Sequence, residues 1–287
     1  MRRDGMTESM KIGNRRFMIN SGDDKTFVPY PYVMGILNVT PDSFSDGGNY
    51  TDIDKALKHT EQMLHDGADI IDVGGESTRP GHIKISVAEE IERTCFVIEA
   101  IKERFDVPVS LDTYKPDVAE AGLLAGADLI NDIWGLKWDD RMAPLIAKYD
   151  VPCCLMHNRQ TALYKDYLDD VVSDIRESVD IALKSGIKPE NIMTDPGIGF
   201  AKNTDENLIL MNNLDKLVEL GYPVLLGTSR KSMIGNTLDL PVSEREEGTI
   251  ATSVMGLMQG CSFFRVHEVR ANVRALKMTY AIMQKGL

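Results

Sequence analysis

VPVSLDTYKPDVAEAGLLAGADLIND, residues 107–132, spells out one complete structural unit. Two short apolar runs, Val107–Asp112 and Ala127–Asp132, stand at its ends, and Gly126 marks a helix stop just before the second. Runs this short and this apolar read as strands buried on both faces. Parallel neighbours of that kind need a crossover helix between them.

The alternation continues in both directions. Upstream lie Val33–Asn38 and Asp69–Val73; downstream lie Val151–Met156, Asn191–Asp195, Pro223–Gly227 and Ser262–Val266. The segments Asp52–Asp66, Val87–Phe105 and Tyr167–Lys184 place apolar residues three and four apart, as a one-sided helix requires. Further stops fall at Gly67, Gly186 and Gly221, and helix starts at Thr51, Ser86 and Thr204. Eight strand–helix units in roughly 250 residues predict an α/β protein with a closed (β/α)₈ barrel, the TIM-barrel architecture. A doubly wound open sheet is the alternative; the strand count and the lack of a glycine-rich dinucleotide turn favour the barrel. Residues 11–27 hold a Ser-Gly-Asp-Asp turn at 21–24 between two short runs, which predicts an antiparallel β-hairpin over the barrel's N-terminal end. Residues 1–287 therefore form one domain, with 1–29 as its hairpin extension.

Composition narrows the function. Of 287 residues, 43% are hydrophobic and 26% charged, an ordinary globular balance. The net charge of −12 argues against a nucleic-acid partner, whose phosphates such a surface repels, but leaves room for one basic pocket. The four cysteines show no C-x-x-C spacing, which disfavours a zinc site or disulfide framework and suits a reducing cytosol. With no apolar run of bilayer length and no signal stretch in Met1–Asn20, a cytoplasmic protein without a membrane partner is expected.

Barrel enzymes place their sites at the C-terminal ends of the strands. Polar residues stand at nearly every such end: Asn38, Asp72, Asp112, Asn131 with Asp132, His157 with Asn158, Asp195, Ser229 to Lys231, and Arg265 with His267. Any one alone reads better as a local cap; eight together are harder to dismiss. Asp112, Asn131 and Asp195 form an acceptor set suited to a flat heterocycle bearing N–H donors. Direct Mg²⁺ binding by the same three is the weaker alternative, because they come from separate strands. Arg79, Arg230, Lys231, Arg265 and His267 form an opposite, cationic set that suits a polyanion. The loop Gly74–Gly81, with Arg79 inside it, adds backbone N–H groups. His59 and His65 fall on a helix surface, and His157 reads as support for the mouth. No Ser-His-Asp order or H-E-x-x-H spacing offers a hydrolase template.

The residues at these ends resemble the dihydropteroate synthases. MGILNVTPDSFSDGG (34–48) is similar to that family's first signature and DVGGESTRPG (72–81) to its second. LDTYK (111–115), IND (130–132), DPGIGFAK (195–202), GTSRKS (227–232) and RVH (265–267) follow in the family's order. The resemblance implies an enzyme joining 4-aminobenzoate to 6-hydroxymethyl-7,8-dihydropterin diphosphate, a homodimer, and Mg²⁺ as cofactor. Carried over, it implies that Asp112, Asn131, Asp195 and Lys231 bind the pterin, with Ile133, Met156, Phe200 and Gly227 lining its pocket. It gives Thr78, Arg79, Arg265 and His267 to the diphosphate, Asn38 to Mg²⁺, and Ser229 and Arg230 to the aminobenzoate. Asp112, Lys231, Arg265 and His267 would be the catalytic residues. A largely dissociative displacement is expected, in which cations neutralise the departing diphosphate and Asp112 offsets positive charge on the ring. Two departures are visible: Met233 stands where the family often has Phe, and MHNRQ (156–160) lacks the usual Gly/Pro continuation. A methyltransferase of the wider pterin-binding group would not need the basic rim, and a non-catalytic paralogue would have lost Asn38, Arg79 or Lys231.

Overall fold

A computed structural model describes residues 9–19, 28–39, 49–76 and 84–285. The chain begins there with a hairpin, β1 (Ser9–Ile12) paired antiparallel with β2 (Arg15–Met18). Eight parallel strands follow: β3 (Tyr32–Asn38), β4 (Ile70–Gly74), β5 (Val109–Asp112), β6 (Leu129–Asp132), β7 (Cys153–Met156), β8 (Ile192–Asp195), β9 (Leu225–Leu226) and β10 (Phe263–Val266). They pair in the order β8-β7-β6-β5-β4-β3-β10-β9. A parallel bridge between Thr194 and Val224 joins the two ends, with Thr194 N–H donating to Pro223 O at 3.0 Å. The expected (β/α)₈ barrel is present.

The helices form the outer layer: α1 (Asn49–His65), α2 (Val87–Arg104), α3 (Pro116–Leu124), α4 (Met142–Tyr149), α5 (Tyr167–Lys184), α6 (Thr204–Met211), α7 (Asp215–Val218), α8 (Ser232–Leu238), α9 (Glu246–Met258) and α10 (Val269–Met283). Ser86 caps α2 by accepting from Glu89 N–H, as its sequence position predicts. The other two expected starts shift: Thr51 lies inside α1, and Thr204 follows the true cap Asn203, whose capping box uses Glu206. Gly126 adopts φ +109° just past α3, a conformation that a side chain would strain.

Side chains alternate across each strand, and the alternation sorts this barrel into two cores. Val33, Leu37, Ile71, Val73, Leu111, Ile130, Leu155, Ile192 and Phe264 face the helices in the larger cluster. Met34, Ile70, Leu129, Cys154, Met193, Leu225 and Phe263 form an inner layer at the strands' N-terminal ends. The hairpin completes that layer with Met10, Ile12 and Phe17, and Ile19 follows just after it. Phe17 stands edge-on to Tyr32 at 4.8 Å and lies 5.7 Å from Phe263. The hairpin thus closes the barrel's N-terminal end as expected, but it turns at Gly13 and Asn14. The turn expected at residues 21–24 lies outside the described residues. Met233, one of the two departures, is buried in the helix-facing cluster. Among the described residues no helix is long and apolar enough to cross a membrane.

Candidate active site

One step of two residues beyond the inner apolar layer, the barrel changes character. Met34 leads to Ile36 and then Asn38, Ile70 to Asp72, Leu129 to Asn131, Cys154 to Met156, Met193 to Asp195, Leu225 to Gly227, and Phe263 to Arg265 and His267. On β5 the same row holds Ser110 and Asp112. The period of two therefore brings Asp72, Asp112, Asn131, Met156, Asp195, Gly227 and Arg265 to one interior level near the C-terminal ends. It also separates residues that adjoin in sequence. Asn131 belongs to the interior row, whereas Asp132 accepts from Trp134 and Leu136 N–H, both at 2.8 Å, and caps its own turn.

Arg265 ties the row together. Its Nε donates to Asp72 Oδ2 and its Nη2 to Asp112 Oδ2, both at 2.6 Å. Burial opposes its charge, but Asp72 and Asp112 more than offset this and hold the guanidinium firmly protonated. Asp112 itself is pushed up to about 7, chiefly by burial, with Arg265 opposing and the charge of Asp72 adding to the rise. The second oxygens of Asp72 and Asp112 are buried and accept from no described residue. Asp195 is raised to about 6 by burial, against the Gly197 N–H that donates to its Oδ1 at 2.6 Å. A Cβ at Gly227 would lie 3.8 Å from Asp195 Oδ2 and 3.9 Å from Arg265 Cβ, so glycine keeps the space before both open.

An apolar wall flanks these carboxylates. Tyr114, Ile133 and Met156 form a buried cluster against which Trp134 and Phe200 pack. The Lys231 ammonium lies 4.2 Å from the Phe200 ring centroid. Asn38 Oδ1 lies 3.8 Å from where a Gly74 Cβ would stand, on the side shared with Asp112.

The cations differ from the sequence expectation of one basic rim facing one acidic side. Arg265 reaches into the acceptor set. Arg230 gives its fork to Glu268, with Nε donating at 2.6 Å. Ser229 Oγ shares a hydrogen bond with His267 Nδ1 at 2.9 Å and accepts from His267 N–H at 3.2 Å. Thr78 and Arg79, together with the glycine-punctuated loops 40–48 and 77–83, lie outside the described residues. A cavity of about 460 Å³ lies on the outer flank of His267, between α1 and α10, and is distinct from the carboxylate level inside the barrel.

Sequence reading gave no role to several groups that build this site. Asp72 was visible only as one more strand-end acid; its pairing with Arg265, 193 residues away, carries no local signal. Glu76 accepts from Ile85 N–H and Tyr114 OH at 2.9 Å and pairs with Lys115 at 2.8 Å. Lys115 also holds Glu90 at 2.7 Å, so a buried ion cluster pins the start of the loop that carries residues 77–83. His157, read as support, does support: it is 2% exposed, and its Nε2 donates to Asp174 at 3.0 Å. His59 and His65 are exposed on α1.

Comparison with known proteins matches this geometry to one group. A family model described as "Pterin binding enzyme" matches residues 34–267. A dihydropteroate synthase of Clostridium beijerinckii is 58% identical over 277 residues, covering 96% of this chain and 100% of that protein. One of Bacillus subtilis is 55% identical over 254 residues, covering 88% of this chain and 89% of its own. Among solved structures, the Clostridium difficile dihydropteroate synthase in the presence of pteroic acid superposes with a TM-score of 0.87 at 47% identity, covering 92% and 99% of the two chains. The Xanthomonas albilineans dihydropteroate synthase with 4-aminobenzoic acid gives 0.88 at 38% identity, covering 96% and 98%.

Proposed function

This chain belongs to the pterin-binding enzyme family, as a dihydropteroate synthase, and on that premise we propose how its own residues divide the work. The reaction joins 4-aminobenzoate to 6-hydroxymethyl-7,8-dihydropterin diphosphate and releases diphosphate. The C–O bond at the exocyclic methylene breaks, its electron pair leaves with the diphosphate, and the arylamine nitrogen forms the new C–N bond and loses a proton. An arylamine is nucleophilic while neutral, so no strong general base is needed.

The observation that carries the assignment is the interior row of acceptors. A dihydropterin presents several N–H donors along one edge, and the unpartnered oxygens of Asp112 and Asp72 need donors that no described residue supplies. Asp112, Asn131 and Asp195 orient the ring, Ile133, Met156 and Phe200 cover its faces, and Gly227 leaves the space between. When ionised, Asp112 offsets positive charge that develops on the ring as the C–O bond breaks. Lys231 stands at the Phe200 edge of the same ring. Arg265 and His267 receive the diphosphate together with Thr78 and Arg79, and Ser229, held against His267, borders the aminobenzoate with Arg230.

Among the described residues no cluster of three or more His, Cys, Asp or Glu could hold a metal ion. We assign the ion mainly to the substrate phosphates, with the Asn38 side-chain oxygen, which faces the side shared with Asp112, as its protein ligand. Such a Mg²⁺ would supply charge neutralisation on the leaving diphosphate. Asn38→Ala should raise the Mg²⁺ concentration needed for half-maximal activity; an unchanged requirement would remove Asn38 from that role.

A homodimer is part of the same proposal. Leu208 and Ile209 on α6, Leu238 on α8, and Met255 and Met258 on α9 are exposed apolar side chains on helices that pack together, a surface a second copy would cover. Light scattering after size-exclusion chromatography distinguishes dimer from monomer. The decisive assay is purified protein with Mg²⁺, pterin diphosphate and radiolabelled 4-aminobenzoate, scored for labelled dihydropteroate. Absence of labelled product would overturn the catalytic reading.

A further inference from the structure

The segment between β8 and α6 is bent tightly against the end of β7. Gly197 has φ +67°, and a Cβ there would lie 2.0 Å from the His157 carbonyl oxygen. Gly199 has φ +84°, and a Cβ there would meet the Lys231 side chain at 3.0 Å. This backbone is therefore the surface on which the Lys231 stem rests, and it ends in Phe200, the ring beneath the Lys231 ammonium.

Lys202 holds the bend from inside. Its Nζ donates to Gly197 O at 3.0 Å, to Phe200 O at 2.9 Å and to His157 Nδ1 at 2.7 Å. Burial pulls the Lys202 pKa down to about 7 against the opposing charge of Asp195; in its charged form the amine has three N–H groups, and three acceptors converge on them. The third acceptor requires His157 to be neutral with its proton on Nε2, which is where Asp174 Oδ2 accepts at 3.0 Å. Burial depresses the His157 pKa to about 4, consistent with that neutral form. Asp174 is in turn fixed by Arg159 Nε at 2.5 Å. Tyr164 OH donates to Ala201 O at 2.7 Å, and Asn207 Oδ1 accepts from Gly199 N–H at 2.7 Å. Other charged groups facing the ammonium are Asp195, Lys231 and Glu206. None of the Lys202 hydrogen bonds goes to the interior row; Asp195 of that row acts on Lys202 through charge alone.

We infer that Lys202 is a positioning residue, which fixes the Gly197–Phe200 bend through two carbonyls and the His157 ring and so sets Phe200 and Lys231 for the pterin. The inference rests on the pterin reading above and adds a residue to it that acts at one remove. Removing the ammonium frees the bend, and with it the ring and the cation that meet one side of the substrate. The diphosphate groups Arg265 and His267 keep their own partners, Asp72 with Asp112 and Ser229.

The test compares wild type with Lys202→Met and Lys202→Arg. For Lys202→Met, KM for pterin diphosphate should rise about tenfold or more, the cost of losing hydrogen bonds to a charged group. The dissociation constant for inorganic diphosphate should change by less than about twofold, because Arg265 and His267 are untouched. Hydrogen–deuterium exchange should accelerate at the amides of 197–200 while β7 and β8 keep their protection. Lys202→Arg keeps the charge, but a planar fork cannot meet three convergent acceptors; its KM should rise by about threefold, and it serves where the Met variant fails to fold. Unchanged exchange at 197–200, or a KM unaffected in both variants, overturns the inference. So does a general loosening in which diphosphate affinity and protection of the whole barrel fall together. Wild-type protein that made no dihydropteroate would sink the pterin reading, while the exchange measurement would still decide the clamp.

Discussion

Asp112→Asn should make this enzyme slower and more stable at once. The Asp112 carboxyl sits at about 7 in the folded protein, against 3.8 when free, because it is buried beside Asp72. Keeping it ionised at pH 8 therefore destabilises the fold by on the order of 4 kcal/mol relative to a neutral group of the same shape. Asparagine is that shape. It still accepts from Arg265, but its amide N–H₂ can fall where the unpartnered oxygen lies, which returns about 1–3 kcal/mol of penalty. The net gain is roughly 1–3 kcal/mol, or about 2–4 °C in Tm per kcal/mol for a chain of this size. The sign with pH is set by a folded pKa above the unfolded one. The penalty is absent below about 3.8, grows through the acid range and is complete above about 7, so the Tm difference should be largest at pH 8 and shrink by pH 5. Turnover should fall about 10²–10³-fold, since the lost charge faces the ring as it becomes positive, while pterin affinity by calorimetry changes far less. Scanning calorimetry of both proteins across pH, with steady-state kinetics, checks every part. A variant that melts below wild type at pH 8, a Tm difference that ignores pH, or equal losses in turnover and pterin affinity would refute the reasoning.

Three further outcomes follow from the same geometry. Arg265→Ala leaves Asp72 and Asp112 buried without their guanidinium, so it should destabilise by about 3–5 kcal/mol and weaken diphosphate binding; an unchanged diphosphate dissociation constant by calorimetry would count against the assignment. Asp132→Ala removes the acceptor for Trp134 and Leu136 N–H and should cost about 1–3 kcal/mol in a denaturant melt while leaving kcat near wild type, since this carboxylate faces away from the interior row; a collapse of kcat at unchanged stability would mean the row has been misread. Phe17→Ala empties the apolar closure under the barrel and should cost about 3–5 kcal/mol, again with KM values unchanged, because the site lies at the other end.

The strand–helix alternation made the barrel legible from sequence, because a strand buried on both faces has to be apolar throughout. Boundaries moved by a residue or two at the strand starts: Val107 and Pro108 precede β5 and Val151 and Pro152 precede β7, although Pro108 O and Pro152 O still accept from Ile71 and Ile130 N–H on the neighbouring strands, both at 3.1 Å. The hairpin was expected, and the one described turns at Gly13-Asn14, whereas Ser21-Gly-Asp-Asp24 lies outside the described residues. At the site, residue types were readable and their partners were not. Arg265 and Arg230 looked like cations available to phosphate; each is held by a carboxylate from a distant segment, Asp72 with Asp112 in one case and Glu268 in the other. Asn131 and Asp132 looked equivalent until strand pleating turned one inward and the other outward. Lys202 sat in plain view inside a quoted motif, yet nothing local tells that its three donors meet two carbonyls and an imidazole.

The stopper beneath the barrel has a consequence for assembly. Residues 9–19 leave the ribosome before every barrel strand, but the surface that receives them is made from β3 through to β10, and Phe263 emerges some 250 residues later. Seating of that plug has to wait for the last strand, a contact of very long sequence separation and therefore slow to form. Until then Met10, Ile12 and Phe17 stay wet, and the nascent chain carries a sticky segment that only the finished ring can hide.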